Sequence, residues 1–76
     1  MTETTIESIF GVNAGIVWEA LNRNGPCTIE DLVKITSLSR EEVHGALGWL
    51  GRENKISAEI GGKARGRRAN VFSLRQ

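Results

Sequence analysis

The sixteen residues from Ser39 to Asn54, SREEVHGALGWLGREN, constrain the fold more than any other part of the chain. Ser39-x-x-Glu42 is a capping box, in which the Ser oxygen and the Glu carboxylate each accept from a backbone N–H that a helix start leaves unpaired. Val43, Ala46, Leu47 and Leu50 then recur at the spacing of a single helical face. A helix with one apolar face needs partners on that side only. After Asn54 the period shortens, since Lys55 to Ile60 alternates polar and apolar residues and Val71 to Leu74 can pair with it as a hairpin. Gly61-Gly62 opens the connection GGKARGRRAN and Asn70 closes it, so residues 61–70 read as a basic loop.

Upstream, two more helices are predicted. Ile6, Ile9, Phe10, Asn13, Ile16, Val17, Ala20 and Leu21 fall on one side of a helix at about 100° per residue, between about Thr5 and Asn24. Asn13–Arg23 is the firm part, because Gly11 and Gly15 weaken continuity and Asn13 can cap a second segment. Asn24-Gly25-Pro26 stops it. Cys27 suits a very short extended piece, and Thr28 starts the next helix as N-cap, with Glu30 and Asp31 complementing the dipole of its first turn. Ile29, Leu32, Val33 and Ile35 are expected to face inward, and Thr36-Ser37-Leu38 makes the turn into Ser39, with Leu38 as an apolar plug.

The order helix, helix, turn, helix, hairpin over residues 13 to 74 resembles a winged helix-turn-helix domain. The whole chain is similar to a family of short, uncharacterised bacterial winged-helix proteins. The resemblance implies an α+β fold of three helices plus a C-terminal β-hairpin wing. Residues 1–76 then form a single domain, with 1–12 an N-terminal extension that can be helical and 61–70 the wing loop. A chain of 76 residues has room for one modest core.

Composition narrows the function classes. With 39% hydrophobic and 25% charged residues the chain reads as soluble and globular. The start MTETTIESIF lacks the basic and apolar character of a secretory signal, and no apolar run is long enough to span a bilayer, so a cytoplasmic location and no membrane partner are expected. Cys27 is the single cysteine and His44 the single histidine, so neither an intrachain disulfide nor a metal or cofactor site is expected. No nucleophile, base and convergent carboxylates stand at a recognisable spacing, so neither an enzyme nor a small-molecule substrate is read from the chain. The net charge is +1, but it is unevenly spread: Met1–Asp31 carries five acids and one base, whereas Lys55–Gln76 carries six bases and one acid.

Lys63, Arg65, Arg67 and Arg68 therefore form a candidate phosphate-binding wing. Charges that merely keep an exposed strand edge from pairing are the alternative. By the resemblance, the outer face of the third helix reads a groove, which nominates Arg40, Glu41, His44, Gly48 and Arg52, with Arg40, His44 and Arg52 as secondary contacts. Glu41 opposes a polyanion there. Gly45, Gly48 and Gly51 recur every three residues and ask for a close approach by a neighbouring backbone, within the domain or from a partner. Trp18 and Trp49 either cover the core edge or, with Phe10 or Ile9, bury a homodimer interface. Two functions follow: a duplex-DNA-binding module of bacterial transcriptional regulation, or a protein-interaction and homodimerisation module on the same fold.

Overall fold

The computed structural model describes the backbone of residues 7–64 and 67–75 and the side chains of 9–62 and 68–75. A π-helical turn, Glu7–Gly11, leads into α1 (Val12–Asn24), followed by α2 (Ile29–Thr36), α3 (Arg40–Arg52), β1 (Ile56–Ala64) and β2 (Arg67–Leu74). These are three helices and an antiparallel hairpin, the α+β winged-helix layout.

α1 runs through Gly15 without a break, and the expected second cap at Asn13 does not occur. Gly11, at the N-cap position, is itself helical at φ −65° and ψ −41°, so the turn before it flows into the helix with no side-chain cap. Asn13 lies in the first turn, where its side chain favours the charged form of the Glu42 carboxyl of α3. Val17, Ala20 and Leu21 are buried as the stripe predicts, and Ala14, outside that stripe, is buried with them, but Ile9 and Ile16 are exposed. They sit about 100° round the helix from Phe10 and Val17, beyond the side that the rest of the domain covers. The C-terminus follows its sequence signal, with Gly25 at φ 76° donating its N–H to Leu21 O at 2.9 Å and Pro26 preventing continuation.

Cys27 is extended and forms an isolated bridge to β2, its N–H donating to Phe72 O at 2.9 Å and Phe72 N–H returning to Cys27 O at 2.8 Å. This ties the α1–α2 connection to the hairpin. α2 starts at Thr28 with a full capping box, since Asp31 N–H donates to Thr28 Oγ1 and Thr28 N–H to Asp31 Oδ2, both at 3.1 Å. Leu32 is fully buried, whereas Ile35 is exposed, against expectation. An eight-residue helix has little more than two turns, and Ile35, one turn on from Leu32, lies about 60° round the helix from it, past the edge of the covered side. Ser37 ends α2 in the left-handed region at φ 62°, and Leu38 packs against the core from the turn.

α3 begins where its capping box places it, with Glu42 N–H donating to Ser39 Oγ at 3.1 Å and Ser39 N–H to Glu42 Oε1 at 2.9 Å. Val43, Ala46, Leu47 and Leu50 are buried with Val17, Leu21 and Leu32 in one cluster. Asn54, at φ 61°, turns the chain out of the helix, and Lys55 N–H closes the end on Leu50 O at 2.9 Å.

The hairpin is longer than its alternating segments suggest. Pairing runs from Ile56 with Leu74 to Glu59 with Val71, then resumes from Gly62 with Ala69 to Ala64 with Arg67. Most of the expected 61–70 loop is therefore paired strand, with only 65–66 between the strands. Between the two ladders β1 advances three residues while β2 advances two, a β-bulge at Ile60-Gly61 opposite Asn70. Gly61, at φ 69°, absorbs the extra residue, and its N–H donates to Asn70 Oδ1 at 3.2 Å. The glycines bend the strand rather than end it.

Candidate nucleic-acid interface

The outer face of α3 is exposed at Arg40, Glu41, His44, Gly48 and Arg52, as the stripe requires. Its charges are already partly engaged. Arg40 Nη1 stands 4.0 Å from Glu30 Oε1 on α2, so its charge is shared before any ligand arrives. The backbone and side-chain hydrogen bonds with Ser39, helped by Asn13, hold the Glu42 carboxyl below its ordinary pKa against a small opposing effect of burial. A depressed folded-state pKa gives stability that is present above the unfolded value and is lost as pH falls through the folded one. Glu42→Gln keeps a capping side chain but not the charge, so the wild type is expected to melt higher than the variant at pH 7. That gap should shrink as the pH is lowered through and below the ordinary glutamate range in thermal melts followed by circular dichroism. A gap constant across that range would refute the role of the ionised carboxylate.

Of the three spaced glycines, only Gly45 has a close neighbour. A Cβ there would stand 2.7 Å and 2.9 Å from two carbons of the Phe10 ring, whereas at Gly48 and Gly51 it would meet nothing within 4 Å. The approach is made by a side chain of the same domain, and it engages Phe10 on α3. Gly48 leaves the middle of the outer face bare of side chain. Trp49 is half-buried against the core, and Trp18 is 36% exposed. The two rings line an open groove of about 510 Å³ together with Gly11, Ala14 and Gly15, with Lys55 and Arg75 at its edge. Arg75 Nη1 donates to Asn54 Oδ1 at 2.6 Å, which fastens the end of β2 to the exit of α3. A second open groove, between α1 and α2, is lined by Val12, Ile16 and Ile35, all exposed.

Register sorts the wing residues. Residues paired across a ladder share a face, and alternate residues along a strand do too. Ile56 with Leu74 and Ala58 with Phe72 thus lie on the face that packs on the helices, and Ile60, Asn70 and Arg68 continue it outward. Glu59, paired with Val71, lies on the opposite face, where its side chain covers Gly62 at 3.0 Å from the position a Cβ would take. Arg68 is exposed, and the backbone pairs Lys63 with Arg68 and Ala64 with Arg67. Of the other expected wing cations, Lys63 and Arg67 are described by backbone alone, and Arg65 lies outside the described residues. The position that sequence reasoning missed is Ile60, the last apolar residue of the alternating run and 78% exposed. Gly61-Gly62 within an alternating run was the signal, since glycine inside a strand marks a bulge.

Among the described residues no group of three or more His, Cys, Asp or Glu side chains is placed to hold a metal, and no helix is long and apolar enough to cross a membrane. A comparison with curated proteins gives no match. Among solved structures, the protein BT2368 from Bacteroides thetaiotaomicron is 36% identical with a TM-score of 0.77, over 92% of this chain and 79% of that one. The Zalpha domain of Carassius auratus PKZ, in complex with Z-DNA, is 18% identical with a TM-score of 0.71, over 87% and 97% of the two chains, a likeness of fold alone. NMB1585, a MarR family regulator from Neisseria meningitidis, is 25% identical with a TM-score of 0.70, over 84% of this chain and 44% of that one. The family model described as winged helix-turn-helix domain (DUF2582) matches residues 1–71. With helices, hairpin and family model in agreement, the chain belongs to this winged helix-turn-helix family.

Proposed function

We propose that the chain is a duplex-DNA-binding module of bacterial transcriptional regulation, working in the cytoplasm by binding rather than catalysis. The observation that carries this reading is the hairpin. The strongly basic last part of the chain, six bases against one acid from Lys55 to Gln76, is largely paired strand projecting as a wing. Lys63, Arg65, Arg67 and Arg68 are assigned to phosphates, with Arg40, His44 and Arg52 of α3 as secondary contacts. The weak charge of α3 fits a division of labour in which the wing supplies affinity and the helix, bare at Gly48, supplies shape. Fold neighbours whose names record Z-DNA binding and MarR-type regulation support the reading.

Binding of a random-sequence duplex, followed by fluorescence anisotropy between about 50 and 200 mM salt, tests it. The logarithm of affinity should fall with that of salt by about 0.9 per neutralised phosphate, a slope of roughly −3 to −5 for the residues assigned. Absence of binding at the lowest salt would reject it.

One observation favours a second reading, a protein-interaction or homodimer surface. Val12, Ile16 and Ile35, exposed around the α1–α2 groove, form an apolar area that no described residue covers, and Ile9 and Trp18, the latter in the other groove, are exposed as well. A light-scattering mass that rises with concentration supports it, and a constant monomer mass excludes self-association.

A further inference from the structure

The geometry points to Ile60 as a non-ionic contact of the wing, packing against the sugar edges that line the minor groove of duplex DNA; this rests on the DNA-binding reading above. Ile60 is 78% exposed, the most exposed large apolar residue among those described. A single exposed aliphatic side chain is ordinary on a protein surface. Its neighbours on the hairpin make this one different. Alternation from the Glu59–Val71 pair puts Ile60 on the face shared with Asn70 and the exposed Arg68, and the bulge sets two β1 residues, Ile60 and Gly61, against Asn70. Glu59, the one acid from Lys55 onward, lies on the opposite face, folded over Gly62.

The result is that Ile60 stands next to Arg68 on one wing face while Glu59 lies on the other. This sorting matches a duplex edge, where anionic phosphates flank apolar deoxyribose. Proteins that enter the minor groove combine cations with an apolar residue of this type. The fold of the wing holds Ile60 in place: Gly61 N–H is tied to Asn70 Oδ1 at 3.2 Å, so the bulge that presents the side chain is closed by a side chain of the facing strand. The bulge itself already blunts the strand against unwanted pairing, so edge protection does not call for an exposed isoleucine. Isoleucine leaves the edge apolar, as a contact surface requires.

The test measures duplex affinity and its salt slope for Ile60→Ala and Ile60→Leu beside the wild type, with the thermal melting of each. Ile60→Ala should weaken binding about fivefold to tenfold with the salt slope unchanged, because no charge is removed, and with an unchanged Tm, because the residue is exposed. Ile60→Leu should stay within about twofold of the wild type. Wild-type binding with Ile60→Ala equally tight would overturn the contact while leaving the DNA reading intact. So would a weakening accompanied by a flatter slope, which would mean that the substitution acts through the cations. If instead the wild type is a dimer and Ile60→Ala a monomer, Ile60 is a protein contact and the inference fails. Failure of the wild type itself to bind duplex defeats the DNA reading, a result distinct from all of these.

Discussion

Replacing Arg65, Arg67 and Arg68 together by alanine is expected to flatten the salt dependence of duplex binding by roughly two to three units of log–log slope, about 0.9 for each phosphate that is no longer neutralised. Affinity near 50 mM salt should fall by about two orders of magnitude, since phosphate pairing supplies most sequence-independent binding. The variant should retain its helical circular dichroism. The core is built from Val17, Leu21, Leu32, Val43, Leu50 and their apolar neighbours, and Arg68 is exposed outside it. Arg40→Ala with Arg52→Ala should cost less, because Arg40 is already shared with Glu30 at 4.0 Å. An unchanged slope in the triple variant would remove the wing from the interface. A larger effect from the α3 pair than from the wing would reverse the proposed division of labour.

The second large effect concerns stability. Leu32→Ala should lower it by about 2 to 5 kcal/mol, because Leu32 is fully buried and alanine leaves a cavity that its surroundings fill only in part. That is a large fraction of the roughly 5 to 15 kcal/mol that holds a domain together. At about 4 to 8 °C per kcal/mol for a chain of this size, the melting temperature should drop by at least about 8 °C. Ile35→Ala, three residues along the same helix but exposed, should stay within about 0.5 kcal/mol of the wild type in urea unfolding. Similar destabilisation at both positions would mean that Ile35 is covered in solution, which is the outcome the self-association reading requires.

The contrast between these two residues shows where sequence reasoning stops. The apolar spacing identifies which residues share a side of a helix, but how much of that side is covered depends on the neighbours. Leu32 lies within the core cluster that α1 and α3 complete, whereas Ile9, Ile16 and Ile35 pass beyond its edge. Helix starts were legible because capping is local: Thr28 and Ser39 each accept from the N–H three residues on, within a single turn. The Gly25-Pro26 stop was legible for the same reason.

The candidate interface was legible as chemistry and not as geometry. Its cations stand in the sequence as a cluster, but Gly61-Gly62 supports either the end of a strand or a bulge within one, since both use a positive φ. Only the pairing of Gly62 with Ala69 decides for the bulge, and with it the continuation of β1 past Ile60. The glycine every third residue in α3 was likewise visible, but that a Phe10 ring claims Gly45 while Gly48 stays open depends on where the N-terminal turn docks.

Local chemistry alone thus settles the starts of α2 and α3, the buried stripe of α3 and the basic character of the last strands, because each depends on residues within a few positions of one another. Tertiary structure settles which apolar residues stay wet, which face of the wing carries the cation and which the acid, and which glycine is occupied. These depend on packing between segments far apart in the chain, where a shift of one residue in register exchanges the two faces of a strand.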